Sequence, residues 1–212
     1  MYEVGDPLGD LSVPPGTNLL VSGPPMTGKR ALAFRVLANG VEREEGAIVV
    51  STKDNATRVR SAFHEHAPDA TLGIVDCVTR QQGMAAEDED LTRYASSPND
   101  LTGIGIELSE LLQEFYQDRG HERNRVLLYS LSTLLMYSNL QTVFRFLHVF
   151  TGRVQSVDGL GLFVIDATAH DDQTMNTLKQ LFDGIVEVQE VDDERRCRVT
   201  GMGAGTTDWT PF

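Results

Sequence analysis

The residues best placed to do chemistry are consecutive: Gly23, Pro24, Pro25, Met26, Thr27, Gly28, Lys29 and Arg30. They meet the pattern G-x-x-x-x-G-K-[ST] at Gly23, Gly28 and Lys29 and depart from it at position 30. In such a loop the glycines let the backbone turn so that successive N–H groups point at phosphate oxygens, and the lysine reaches the β- and γ-phosphates. The final hydroxyl would ligate Mg²⁺, which a guanidinium cannot do. The chemistry on offer is capture of a phosphate group, and hydrolysis is the open question.

The flanking sequence supplies the elements such a loop needs. Asn18–Ser22 reads as a short buried strand, and "KRALAFRVLANG" as an amphipathic helix stopped at Asn39–Gly40. Strand, glycine loop and helix is the context the motif requires. Further strands are expected at Gly46–Thr52, Leu72–Val78, Arg125–Leu131 and Gly159–Ala167. Helices are expected at "NATRVRSAFHEHA", "IGIELSELLQEFYQDRG", "DDQTMNTLKQLFD" and, as one stretch, "STLLMYSNLQTVFRFLHVFTGRV". Between the third strand and the next helix lies a polar run with an acidic block, Glu87–Asp90, read as a long surface loop with a short strand near Tyr94–Ala95. The chain closes in a hairpin turning at Val191–Glu194. Alternating strands and helices predict an α/β fold, a mainly parallel sheet covered on both faces. No linker or second core is visible, so residues 1–212 read as one domain.

Composition narrows the classes. The chain has 212 residues and is 41% hydrophobic, too apolar for a disordered protein. Lys+Arg total 18 against Asp+Glu 31, a formal net charge of −13, and Lys29, Lys53 and Lys179 are the only lysines. An acidic surface nearly free of lysine suits a protein living in high salt; an ordinary acidic protein is the alternative. Direct binding to nucleic acid is disfavoured, because phosphate contacts need a basic stripe. Cys77 and Cys197 are too far apart in sequence for a paired metal-ligand spacing, and a reducing cytoplasm is the expected compartment. The N-terminus lacks the features of a signal peptide, and "RVLLYSLSTLLMYSNL" is too short and too rich in serine to span a bilayer.

Loop, strand and terminal hairpin together resemble the RecA/KaiC superfamily of P-loop proteins in its KaiC-like branch. The resemblance runs from "VPPGTNLLVSGPPMTGKR" through "NRVLLYSLSTLL" to the hairpin "LFDGIVEVQEV…RCRVTGM". The composition and "SSPNDLTGIGIELS" look most like small KaiC-like proteins of haloarchaea. The resemblance implies a RecA-like sheet with a C-terminal β-hairpin, and it implies where catalytic parts should stand. At the fourth strand such proteins carry an Asp that positions Mg²⁺; Tyr129 stands there, and a neutral phenol is a poor partner for a hard cation. After the second strand they carry acidic residues, one of which polarises the attacking water; here Lys53 and Asp54 stand instead. The hairpin pair that reaches a neighbouring subunit's nucleotide falls on Gly201 and Gly203. Phosphoryl transfer is catalysed by positioning and charge neutralisation, so these departures strike the mechanism itself.

Binding is another matter. Retention of the loop glycines, which carry an entropic penalty, favours a loop that still meets an anion. The expected ligand is ATP or ADP, or phosphate, held without Mg²⁺. Arg30 either supplies the charge the metal would bring or lies along the helix surface. The expected role is a non-hydrolysing, nucleotide-responsive regulator or scaffold acting through protein partners, as a monomer or small oligomer. A weak ATPase using Asp54 and Asp166 is the alternative. Another is an accessory recombination or repair factor working through a protein partner. Asp166 is read as a helix N-cap rather than a metal ligand, and Asp171 and Asp172 as acids at a helix N-terminus. His64 and His66 are read as surface residues, and Tyr137, Phe144, Phe146 and Phe150 as core or interface.

Overall fold

The computed structural model describes residues 1–6, 8–9, 11–202 and 205–212. A nine-stranded sheet forms its centre, in the order β11-β10-β9-β3-β8-β7-β4-β5-β6. The parallel body is β3 (Asn18–Gly23), β8 (Leu160–Asp166), β7 (Asn124–Tyr129), β4 (Gly46–Ser51), β5 (Leu72–Asp76), β6 (Thr92–Tyr94) and β9 (Gly184–Val191). On one edge β10 (Glu194–Gly201) and β11 (Thr210–Pro211) add antiparallel strands. The central strands are buried along their whole length, which is why they read as continuous apolar runs and do not alternate.

Helices cover both faces. α1 (Lys29–Val41) and α2 (Ala56–His64) bury Leu32, Phe34, Leu37, Val59 and Phe63 on one face. A small ribbon of β1 (Tyr2–Glu3) and β2 (Ser12–Val13) joins them there. α3 (Leu101–Gln117), α4 (Leu131–Tyr137), α5 (Leu140–Ser156) and α6 (Asp172–Lys179) cover the other. The expected α/β architecture with its terminal hairpin is the one observed. At the hairpin tip Asp192 and Asp193 adopt φ of 53° and 62°, the paired positive values of a two-residue turn.

The helix stop expected at Asn39–Gly40 comes one residue later, with α1 ending at Val41. Gly40, in the last turn, is buried, and a Cβ there would lie 2.8 Å from Arg125 Cδ and 2.9 Å from Glu45 Oε2. This glycine makes room for a buried ion pair. Two expectations change. The single helix expected over 132–154 is two, α4 and α5. Ser138 ends the first in extended geometry, and the Asn139 side chain caps the second by accepting from Thr142 N. Lastly, the N-terminal ribbon went unforeseen, because two-residue strands leave no periodic signal.

Candidate functional site

Sheet register lines up the carboxyl ends of four neighbouring strands. Gly23 of β3 lies opposite Asp166 of β8, Val164 of β8 opposite Tyr129 of β7, and Tyr129 opposite Ser51 of β4. Crossovers leave the sheet on different faces here, the place where open α/β sheets bind ligands. Thr52 N donates to Tyr129 O (2.7 Å), and Ser130 N to Thr52 Oγ1 (2.9 Å), so the ends of β4 and β7 are pinned together.

The loop Gly23–Arg30 springs from this edge. A Cβ on Gly23 would run into the carbonyl oxygen of Val188 on β9. The first glycine is therefore demanded by packing between strands, and its presence is no argument for a ligand. Gly28 is different. It takes φ +86° as the N-cap residue of α1, with no side-chain cap over the helix's first N–H groups. Thr27 Oγ1 closes the loop on Pro24 O at 2.9 Å, and the Lys29 ammonium donates to the same carbonyl. Met26, at φ 64°, is 90% exposed at the tip.

A cleft of about 340 Å³ opens over the loop, lined among others by Lys29, Arg30, Lys53, Tyr129, Asp166 and Arg195. Four cations thus converge on one hollow in a chain of net charge −13. Three carboxylates hold three of them. Asp166 Oδ1 is 2.9 Å from the buried Lys29 Nζ. Asp54 Oδ2, itself buried, accepts from Arg30 Nη1 at 2.8 Å, while its Oδ1 lies 3.6 Å from Arg58. Lys53 Nζ sits 5.7 Å above the Tyr129 ring, a cation–π distance. Arg195 reaches over Gly28 from the hairpin, its Cδ 3.0 Å from where a Gly28 Cβ would stand, and its Nε bonds Glu190 at 3.2 Å.

Two expectations for these residues are corrected. Asp166 heads a short 3-10 turn at Ala167–Ala169 without a capping hydrogen bond, because its carboxylate is engaged by Lys29. The capping role belongs to Asp171, which accepts from Thr174 N at 2.7 Å, with Asp172 in the first turn of α6. Arg30 does not lie free along the helix surface: it lines the cleft in a pair with Asp54. Both acids proposed as catalytic substitutes are thus tied to loop cations. Behind Asp166, its backbone N donates to Ser132 Oγ, which is also 2.9 Å from His170 Nε2. Burial pushes the His170 pKa down, against the opposing pull of Asp166 and Asp171.

His64, half-buried, contacts Ala70 O at 3.2 Å, and His66 is exposed. Phe150 is in the core, Phe144 and Phe146 pack on its margin, and Tyr137 is 48% exposed. Gly201 ends β10 at φ +102°, and Gly203 lies outside the described residues. Arg195 was missed by sequence reasoning. It sits far along the chain in a charged hairpin that reads as surface, and only the pairing of β9 beside β3 brings it over the loop. Among the described residues no helix is long and apolar enough to cross a membrane.

Comparison with known proteins agrees with this architecture. A profile described as a family of unknown function (DUF7504) matches residues 16–188, and the chain belongs to that family. It is 30% identical over 131 residues to a UPF0273 protein of Pyrobaculum aerophilum, covering 58% of this chain and 44% of that one. To a UPF0273 protein of Aeropyrum pernix it is 28% identical over 131 residues, covering 58% and 50%. The chain therefore spans about half the length of these curated relatives. The crystal structure of a KaiC-like protein from Pyrococcus horikoshii OT3 superposes with a TM-score of 0.66 at 15% identity, covering 95% of this chain and 87% of that one. The fold is KaiC-like.

Proposed function

We propose that this DUF7504 protein binds a nucleoside di- or triphosphate through Gly23–Arg30 without a metal ion and without turning it over, and that the bound state is read by a protein partner. The observation that carries the reading is the cationic lining of the cleft: Lys29, Arg30, Lys53 and Arg195 around the N-terminus of α1. Uncapped helix N–H groups and fixed cations favour a phosphate. The donor set does not suit Mg²⁺, which takes oxygen ligands in octahedral geometry. A guanidinium stands where the loop's hydroxyl would be, and a phenol beneath Lys53 occupies the end of β7.

In this reading the ligand competes with carboxylates already in place. A phosphate entering the loop takes Lys29 from Asp166 and shares Arg30 with Asp54. Lys53 and Arg195 neutralise what remains of its charge. Asp54 stays engaged by Arg30 and Arg58 and is a poor base for an attacking water, which leaves Asp166, once released from Lys29, as the carboxylate an ATPase would have to use. The regulatory role, the protein partner, the haloarchaeal setting and the cytoplasmic location belong to this same proposal. They rest on the acidic, lysine-poor composition and the departures within the loop. The weak-ATPase alternative keeps one supporting fact, that Asp166 lines the cleft.

Hydrolysis decides between the two. Phosphate release from ATP, measured in molar KCl with Mg²⁺, is expected at background level for the wild type and unchanged in Lys29→Ala. Turnover above background that Lys29→Ala abolishes would establish the ATPase instead.

A further inference from the structure

The acids of this chain are not spread evenly. Between Glu122 and Asp158 there is no Asp or Glu at all, although the whole sequence carries 31. That stretch builds β7, α4 and α5, and its basic residues are Arg123, Arg125, Arg145 and Arg153. Arg125 is fully buried, and Arg123 is held by Glu45 and Met1 O near the N-terminal ribbon. Arg145 and Arg153 are left on the α5 surface.

Topology opens a groove at the same place. α3 packs on β4 and β5, and α5 on β8 and β3, so β7 lies between them. With strands ~4.8 Å apart, the helix axes stand about three strand spacings, or ~14 Å, from one another. Close-packed helices approach to ~8–10 Å. The gap appears as a groove of about 420 Å³ with Leu101, Ile106, Phe146 and Val149 on its walls and Arg145 and Arg153 among its lining. None of the residues lining this part is acidic; Glu122 and Asp158 join only beyond Arg153, towards the C-terminal ends of α3 and α5. Ile106 is 52% and Val149 62% exposed, one on each helix, so the groove offers apolar surface from both sides. Arg153 donates to Gly105 O at 2.7 Å and to Ser109 Oγ, both uncharged. Arg145 makes no ion pair among the described residues.

We propose that the α3–α5 groove is the docking site for an acidic amphipathic helix of a protein partner. Apolar walls would take residues spaced i, i+3, i+4 and i+7, and the two arginines would meet carboxylates flanking that stripe. A second copy of this chain fits worse. A two-fold contact would set the patch on itself, Arg145 towards Arg145 and Arg153, with no acid in the lining to neutralise them. Nucleic acid fits worse still, since two arginines make no basic stripe. The groove lies on the face of the sheet opposite α1, shares no lining residue with the cleft over the loop, and does not rest on the reading given to that cleft.

The test uses two synthetic helical peptides of about 18 residues, long enough to lie along one 17-residue helix. Both carry Leu at the i, i+3, i+4, i+7 positions; one has Glu elsewhere and the other Lys. Fluorescence anisotropy with the full chain should show the Glu peptide binding at least about tenfold tighter than the Lys peptide. Arg145→Glu, at an exposed and unpaired position, should weaken it about tenfold, and Val149→Asp should abolish it, both with unchanged circular dichroism. Equal binding of the two peptides, absence of binding, or insensitivity to Arg145→Glu overturns the proposal. So does a wild-type dimer in sedimentation that Val149→Asp dissociates, which would make the face a self-contact.

Discussion

At the scale of single residues, the site is a set of charges that satisfy one another. Lys29 and Asp166, and Arg30 and Asp54, form pairs at 2.9 and 2.8 Å within a cleft that also holds Lys53 and Arg195. Asp54 engages Arg30 and Arg58 together, a hold on Arg30 with which a ligand must compete. Asp54→Asn keeps the backbone hydrogen bonds with Ser51 and removes that hold. The variant should bind pyrophosphate about tenfold more tightly, by titration calorimetry in EDTA; equal affinities would mean that Arg30 does not meet the ligand. The loop itself was legible from the sequence because its spacing is a backbone requirement written in glycines. Its pairings were not. Residues 24 apart, or 137 in the case of Lys29 and Asp166, meet only through strand order, which no local pattern states.

At the scale of elements, the strands and helices were legible wherever a long apolar pattern set them, as in β3, β4, β7, β8, α3 and α5. Misses fell where the cue is short: the break between α4 and α5 is a single cap at Ser138–Asn139 inside an apolar run. Gly40 was legible as a helix stop but not as the space that Arg125 passes through. Arg125, fully buried in β7, donates to Glu45 Oε2 (2.5 Å), Val36 O (2.5 Å) and Glu3 O (2.8 Å), tying the sheet to α1 and the N-terminal ribbon. Burial pulls the Arg125 pKa down, and Glu45 opposes it. Removing one member of such a pair leaves the other charged and buried. Arg125→Met should destabilise the protein by about 3–5 kcal/mol in urea unfolding. Adding Glu45→Gln should recover a substantial part. A single variant within 1 kcal/mol of wild type, as a rough threshold, would deny the pair its structural role.

At the scale of the whole molecule, the net charge of −13 sits on a fold whose core is ordinary, so the charge bears on stability and solubility and not on architecture. Self-repulsion among them is screened by salt, with a Debye length of ~10 Å at 0.1 M and ~3 Å at 1 M. The melting temperature should therefore climb from low to molar KCl; a flat or falling curve would mark an ordinary acidic protein. Fold class was readable at this scale because alternation of strand and helix leaves few topologies, and the likeness to a KaiC-like structure agrees with it. The ligand was not readable, because it depends on what four cations from distant elements do together. The central claim is metal-free capture of a phosphate ligand, and calorimetry of ADP and ATP on the intact chain in molar KCl tests it most directly. Equal affinities in Mg²⁺ and in EDTA, lost in Lys29→Ala and made Mg²⁺-dependent by Arg30→Ser, are the expected result. Binding by wild type only when Mg²⁺ is present, or no heat from either nucleotide at millimolar concentration, would contradict it.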